Sequence, residues 1–152
     1  MGNKPNAPVV AIGAVFFNPE SGVTGAELSI VVDLESAMEN GAKPDGKTIM
    51  WWLQKSEEAR KAICSDDAVH INVALSLLRD FIKHNVSDTR CLRVWGNGAG
   101  FDNVILRQAY DAAQIEYPWL FRNDSDVRTM VVLGRQLGFD PKRDMPFDGV
   151  EH

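Results

Sequence analysis

The stretch that decides the fold is Trp95-Gly96-Asn97-Gly98-Ala99-Gly100-Phe101-Asp102-Asn103. Before it, Leu92 and Val94 belong to a short apolar run that is typical of a buried strand. After it, apolar residues recur at helical spacing: Ile105, Leu106, Ala109, Tyr110 and Ala113. The sequence therefore predicts a strand over 91–95, a glycine-rich turn, and a helix over 102–115 that Asp102 opens. The Asp102 carboxylate would then lie at the C-terminal end of a strand, where open α/β sheets hold ligands.

The rest of the chain predicts a layered α/β domain around this unit. Residues 8–17 and 26–32 predict two strands of a hairpin, and residues 48–63 predict a helix. Ser65 or Asp66 is expected to cap a further helix. Its inner face would consist of Ile71, Ala74, Leu75, Leu78, Phe81 and Ile82. An extended piece over 117–119, a helix from Ser125 or Asp126 to Leu137, and a loop over 141–152 complete the prediction.

Composition places the chain among soluble globular proteins. Its 152 residues carry a net charge of −5, with 45% hydrophobic residues, which suits one domain over residues 1–152. The negative charge gives no general attraction to nucleic acid, although a local basic strip can still bind phosphates. No apolar run is long enough to span a membrane, and the first residues contain no signal-peptide core. Cys64 and Cys91 are expected to be buried free thiols, so we expect a cytoplasmic protein.

Two acidic patterns are candidates for metal chemistry, and each has a structural alternative. Asp102 either binds a metal or ligand beside Gly96, Gly98 and Gly100, or stabilises the helix dipole. Asp33 and Glu35 would share one face of a strand and suit a divalent cation. For this second pattern we favour the alternative, in which Asp33 ends a strand and starts a turn or helix.

Aromatic, basic and histidine residues supply further candidates. Trp51 and Trp52 face different sides of one helix, so that Trp52 is expected in the core and Trp51 remains as a platform for a nucleic-acid base. Packing of both is the more common outcome. Arg128 lies in the first turn of its helix and either reaches a phosphate or pairs with a nearby aspartate. His70 and His84 are expected on the surface.

Several segments together resemble the DEDDh 3′–5′ exonucleases, most of all the branch of phage, prophage and mycobacterial exoribonuclease or exodeoxyribonuclease VIII-like proteins. The resemblance covers essentially the whole chain. The segments that carry it are 5–16, 48–52, 95–106, 126–129 and 149–152.

The resemblance implies a ribonuclease H-like fold, in which a mixed sheet is flanked by helices. It also implies an enzyme that hydrolyses single-stranded or 3′-overhanging RNA or DNA, and it is compatible with a homodimer. Four carboxylates would hold two Mg²⁺ or Mn²⁺ ions about 3.5–4 Å apart, and a histidine would activate water. Asp102 matches a metal carboxylate and His152 matches the histidine. The candidate nucleic-acid contacts are Asn97, Asn103, Trp51 and Arg128.

The sequence departs from the family pattern at both ends. The family's first strand carries an Asp-x-Glu just before the segment that begins here at Met1, and its last carboxylate follows the histidine. We therefore expect a truncated domain that lacks the central first strand of the sheet, and we expect this chain to be inactive or weakly active. Two alternatives stay open: a catalytically dead module that binds nucleic acid or protein on the same fold, and a remnant without function.

Overall fold

The computed structural model describes residues 1–145, in which short strands alternate with helices. The strands are β1 Ala11–Phe17, β2 Thr24–Val31, β3 Val94–Gly96 and β4 Asp124–Asp126. The helices are α1 Leu34–Glu39, α2 Gly46–Leu53, α3 Glu57–Lys61, α4 Ile71–Asn85, α5 Asp102–Ala112, α6 Val127–Gln136 and α7 Pro141–Asp144. The domain is thus mixed α/β, with small sheets flanked by helices, which is consistent with a ribonuclease H-like fold.

The first sheet is the predicted hairpin. Strands β1 and β2 pair antiparallel, with Ala11 opposite Val31 and Phe17 opposite Thr24. The Asn18 side chain accepts hydrogen bonds from the backbone of Glu20 and Ser21, which closes the turn between the strands.

The second sheet combines a strand that leads into the glycine-rich stretch with a strand that follows it in sequence. Strands β3 and β4 are parallel and only three residues long, and they pair Val94 with Asp124 and Gly96 with Asp126. Within the described residues, no strand joins this sheet to the hairpin.

One face of α4 covers the hairpin and forms the centre of the core. Ile71, Ala74, Leu75, Leu78 and Ile82 are buried on this face, as their spacing predicts. Helix α5 joins the same core through Tyr110, whose hydroxyl donates to the carbonyl of Leu75 at 2.8 Å. The predicted inner face of α4 is therefore confirmed, and that of α5 is confirmed except at Ile105, which does not pack against this core.

Four local predictions are wrong, and competing hydrogen bonds explain three of them. The helix expected over 48–63 is broken because the Ser56 side chain caps α3 by accepting from Ala59. Helix α4 begins after His70 because Val69 is held in a bridge with Val32. The short extended piece expected at 117–119 is not a strand, and the strand that pairs with β3 is Asp124–Asp126. Residues 141–144, expected as loop, form α7, which Asp140 caps.

Both thiols lie on the surface, and the prediction that they are buried is wrong. Cys64 and Cys91 are exposed and free. His70 and His84 are exposed as expected, and His70 also caps α4 through its ring Nδ1. Across residues 1–145, none of the helices is long and apolar enough to cross a membrane.

Candidate active site at the glycine turn

Residues 96–102, called the glycine turn below, form a tight turn stabilised by its own backbone. The amides of Phe101 and Asp102 both donate to the carbonyl of Gly98, at 2.7 and 3.0 Å. The Asp102 carboxylate accepts from the amide of Gly98 at 3.3 Å. Asp102 is the first residue of α5, so its side chain lies over the turn at the end of β3, as the sequence predicts.

Gly96 has no room for a side chain. A Cβ atom there would lie 2.6 Å from Oδ1 of Asn103 and 3.2 Å from Oδ2 of Asp102. Contacts under 3 Å are not tolerated, so the close approach of β3 to α5 depends on glycine. This glycine therefore brings the Asp102 carboxylate directly against the end of β3.

A second carboxylate holds the glycine turn from the opposite strand. Asp126 ends β4, and its Oδ2 accepts from the amide of Ala99 at 2.7 Å. Its Oδ1 accepts from the amide of Thr129 at 2.8 Å, which caps α6 as predicted. The amides of Thr129 and Ala99 hold the pKa of Asp126 below its usual range. Asp102 and Asp126 thus bind neighbouring amides of one turn.

Arg128 lies beside the same turn. Its guanidinium carbon is 3.6 Å from the position that a Cβ atom would take at Gly98. The side chain is exposed, and within the described residues it forms no salt bridge with Asp124 or Asp126. Its charge nonetheless adds to the lowering of the Asp126 pKa. The guanidinium is therefore free to meet an anion at the turn.

The two asparagines of the stretch have different surroundings. Asn97 is exposed on the glycine turn. Asn103 is only 2% exposed, and its amide donates to the carbonyl of Val94 at 3.1 Å and to Asp124 at 2.9 Å. Both of its amide hydrogens are used inside the domain, so Asn97 is the better placed of the two for contact with a ligand.

Trp51 lies on α2 rather than on the glycine turn. Its ring is 46% exposed, and the Lys55 ammonium lies 4.0 Å from its centre. Trp52 meets it edge to face at 5.2 Å and is half-buried rather than fully in the core. An exposed indole beside an ammonium suits both the base and the phosphate of a nucleotide.

The remaining candidate residues are Asp33, Glu35 and His152. Asp33 caps α1 by accepting from the amides of Glu35 and Ser36, so the favoured structural interpretation of Asp33 and Glu35 is confirmed. His152 lies outside the described residues, and its role stays a prediction.

Asp124 is a residue that the sequence interpretation missed. Its carboxylate accepts from Asn103, from the Trp119 indole at 2.8 Å and from Arg107, with which it forms a salt bridge. The only signal in the sequence is the spacing of Asp124 and Asp126, because alternate residues of a strand share a face. Nothing local indicates the three donors.

The described residues do not by themselves complete a two-metal centre. Asp102 supplies one carboxylate, whereas a pair of divalent ions needs several oxygen ligands. Within residues 1–145, no three His, Cys, Asp or Glu side chains lie close enough together to hold a metal ion. Within residues 1–145, Asp102 is therefore a single candidate ligand rather than part of a complete metal centre.

The fold and the acidic glycine turn define a mixed α/β domain of the ribonuclease H-like class. A family model, the 3′-5′ exoribonuclease Rv2179c-like domain, matches residues 1–152, and the chain belongs to that family. The chain is also 29% identical, over 153 residues, to an exodeoxyribonuclease of Enterobacteria phage T4. This match covers 86% of the chain and 66% of the phage protein, just under two thirds of its length. No solved structure gives a significant match. The resemblance to exonucleases is thereby confirmed at the level of the family.

Proposed function

We propose that this domain is a 3′–5′ exonuclease of DEDDh type that acts on single-stranded or 3′-overhanging RNA or DNA. The observation that carries the proposal is the placement of Asp102 on a tight glycine turn at the end of β3. Membership of an exoribonuclease family and similarity to a phage exodeoxyribonuclease support it.

In this proposal Asp102 is one metal ligand, and the ions are Mg²⁺ or Mn²⁺, because hard cations prefer carboxylate oxygens. When bound, a pair of such ions supplies electrostatic stabilisation of the attacking and leaving oxygens. His152 is the proposed general base, because an imidazole has an ordinary pKa of roughly 6.5 and titrates near neutral pH.

The nucleic acid would be held by side chains that the structure leaves accessible. Arg128 would meet a phosphate at the glycine turn, and Asn97 would donate to the same strand. Trp51 would stack on a base. Asn103 would act indirectly, because its amide hydrogens bind Val94 and Asp124.

The proposal extends to the cellular location and the assembly of the protein. Two exposed free thiols suit a reducing compartment, which supports a cytoplasmic protein. The family resemblance also suggests a homodimer, and the exposed apolar side chains of α6 are compatible with such a contact. Sedimentation equilibrium would measure the mass in solution.

The activity is tested with a 5′-labelled oligonucleotide and Mn²⁺. Because one carboxylate is a poor metal centre, we expect the 152-residue chain to shorten the oligonucleotide slowly or not at all. Any shortening should proceed stepwise from the 3′ end and disappear in Asp102→Asn. Efficient shortening that requires Asp102 would contradict the expected inactivity, and shortening that survives Asp102→Asn would contradict the assigned site.

The nucleic-acid interface has a matched pair of variants on α2. Stacking on an aromatic ring is worth roughly 1–3 kcal/mol per base. Trp51→Ala should therefore weaken binding of single-stranded oligonucleotide by about fivefold or more. Met50→Ala, which removes a neighbouring side chain that is 58% exposed, should leave binding unchanged. Equal affinities for the two variants would exclude Trp51 from the interface.

A second candidate function is a catalytically dead module that binds nucleic acid. A different observation favours it: the described residues bring only two carboxylates to the glycine turn, Asp102 and Asp126, and both accept hydrogen bonds from backbone amides. Such a module would bind an oligonucleotide equally well with Mn²⁺ and with EDTA.

A further inference from the structure

The Asp124 cluster, defined as Asn103, Arg107, Trp119 and Asp124, is a polar junction beside the candidate site. The Asp124 side chain is 18% exposed and receives donors from two residues of α5 and from the segment that follows α5. Asn103 extends the junction to β3 through the carbonyl of Val94. One carboxylate thus connects both strands of the second sheet with the helix that carries Asp102.

These bonds matter because the ladder of the second sheet is too short to fix its geometry alone. Its ladder is three residues long, and α6, which follows β4, has no fully buried residue. A two-stranded sheet of this size is not stable alone. The position of β4 against β3 and α5 must therefore depend strongly on the Asp124 cluster.

The two carboxylates at the glycine turn, Asp102 and Asp126, lie one and two residues along the backbone from members of the Asp124 cluster. Asp102 directly precedes Asn103, whose amide binds Asp124. Asp126 lies two residues after Asp124 on the same strand and holds the amide of Ala99 at 2.7 Å. A shift of Asp124 would accordingly move the Asp102 and Asp126 carboxylates relative to the amides of Gly98 and Ala99.

We infer that Asp124 is a positioning residue, whose carboxylate sets the geometry of the glycine turn and of Asp102. It does not act as a metal ligand, because its oxygens are occupied by two neutral N–H donors and by the Arg107 guanidinium. The link to catalysis rests on the proposed function of Asp102, whereas the effect on the turn does not.

Amide hydrogen exchange measured by NMR tests the effect on the turn directly. Asp124→Ala removes all three bonds and should speed exchange of the Ala99 and Gly98 amides by about tenfold or more. Asp124→Asn keeps a carbonyl oxygen for Asn103 and Trp119, so it should restore part of the protection. In both variants the amide of Leu78, in the middle of α4, should exchange as in the unchanged protein.

The matched control is Glu57→Gln, which removes the exposed Glu57–Lys61 salt bridge within α3. It should leave the exchange of Ala99 and Gly98 unchanged. Unchanged turn amides in Asp124→Asn and Asp124→Ala would overturn the inference. Equal acceleration at Ala99 and Leu78 would also overturn it, because it would show general destabilisation. If Asp124→Ala does not fold, the exchange rates of the Ala99 and Gly98 amides in Asp124→Asn test the inference alone.

Oligonucleotide affinity with and without Mn²⁺ separates this inference from the proposed function. Asp124→Asn should weaken the Mn²⁺-dependent part of binding and leave binding in EDTA unchanged. If the unchanged protein shows no Mn²⁺-dependent binding, the metal role of Asp102 fails, while the exchange data still decide the positioning role of Asp124.

Discussion

The domain has a hairpin half, formed by β1, β2 and α4, and a glycine-turn half, formed by β3, β4, α5 and the glycine turn. Different interactions stabilise the two halves. In the hairpin half, α4 packs an apolar face with Ala74 and Leu75 fully buried against β1 and β2. In the glycine-turn half, carboxylates bind amides, an indole and a guanidinium around a three-residue ladder. The first arrangement supplies stability, and the second places the residues that would meet a substrate. The difference predicts where substitutions will unfold the protein and where they will disturb the site.

The largest effect is expected in the hairpin half. Leu75→Ala removes a side chain with 0% exposure and should lower the free energy of unfolding by about 2–5 kcal/mol. Leu77 lies on the same helix but is 45% exposed, so Leu77→Ala should change the free energy of unfolding by less than about 0.5 kcal/mol. Urea unfolding followed by circular dichroism measures both. Similar losses for the two variants would show that α4 does not pack as described.

A smaller effect is expected at the close approach of β3 and α5. Gly96→Ala places a methyl group 2.6 Å from Oδ1 of Asn103, so the buried Asn103 side chain must shift and strain its bonds to Val94 and Asp124. We expect a loss of about 1–3 kcal/mol in urea unfolding. Gly100→Ala is the control, because no atom lies within 4 Å of its Cβ position. If Gly96→Ala is as stable as Gly100→Ala, the second sheet is looser than described.

The structural features of the two halves differ in how far the sequence predicts them. The inner faces of α4 and α5 follow from the spacing of apolar residues, and the glycine turn with Asp102 follows from its strand–turn–helix pattern. The cap at Asp126 is also local. The Asp124 cluster is not, because Asn103, Arg107 and Trp119 meet Asp124 only after β3 and β4 have paired. Long-range polar contacts of this kind leave no periodic signal in the sequence.

Asp126 should contribute to the pH dependence of the free energy of unfolding. Its folded pKa is lowered, first of all by the amide of Thr129 and then by that of Ala99. The stabilisation from these two hydrogen bonds is therefore present above the unfolded pKa, near 3.8, and is lost as the pH falls through the lower pKa of the folded protein. Asp126→Asn should consequently lose less stability than the unchanged protein on acidification below about pH 4.5.

Urea midpoints measured between pH 5 and pH 3 would show this difference. Asp67→Asn, an exposed residue outside the glycine-turn half, is the control and should follow the unchanged protein. Parallel curves for Asp126→Asn and the unchanged protein would mean that the bonds from Thr129 and Ala99 are not formed in solution.

The smallest effect is expected on α6. Met130 is 52% exposed and α6 has no fully buried residue, so Met130→Ser should change the free energy of unfolding by less than about 0.5 kcal/mol. The same urea assay measures it. A loss comparable to that of Leu75→Ala would show that α6 packs against a surface in solution, and would favour the proposed homodimer.

The central claim is that the glycine turn is a metal-dependent nucleic-acid site built on Asp102. Fluorescence anisotropy of a labelled single-stranded oligonucleotide, titrated with the protein in Mn²⁺ and in EDTA, tests it most directly. The account predicts tighter binding in Mn²⁺ for the unchanged protein and no such difference for Asp102→Asn. Equal affinity in Mn²⁺ and EDTA, or a Mn²⁺ effect that persists in Asp102→Asn, would contradict it.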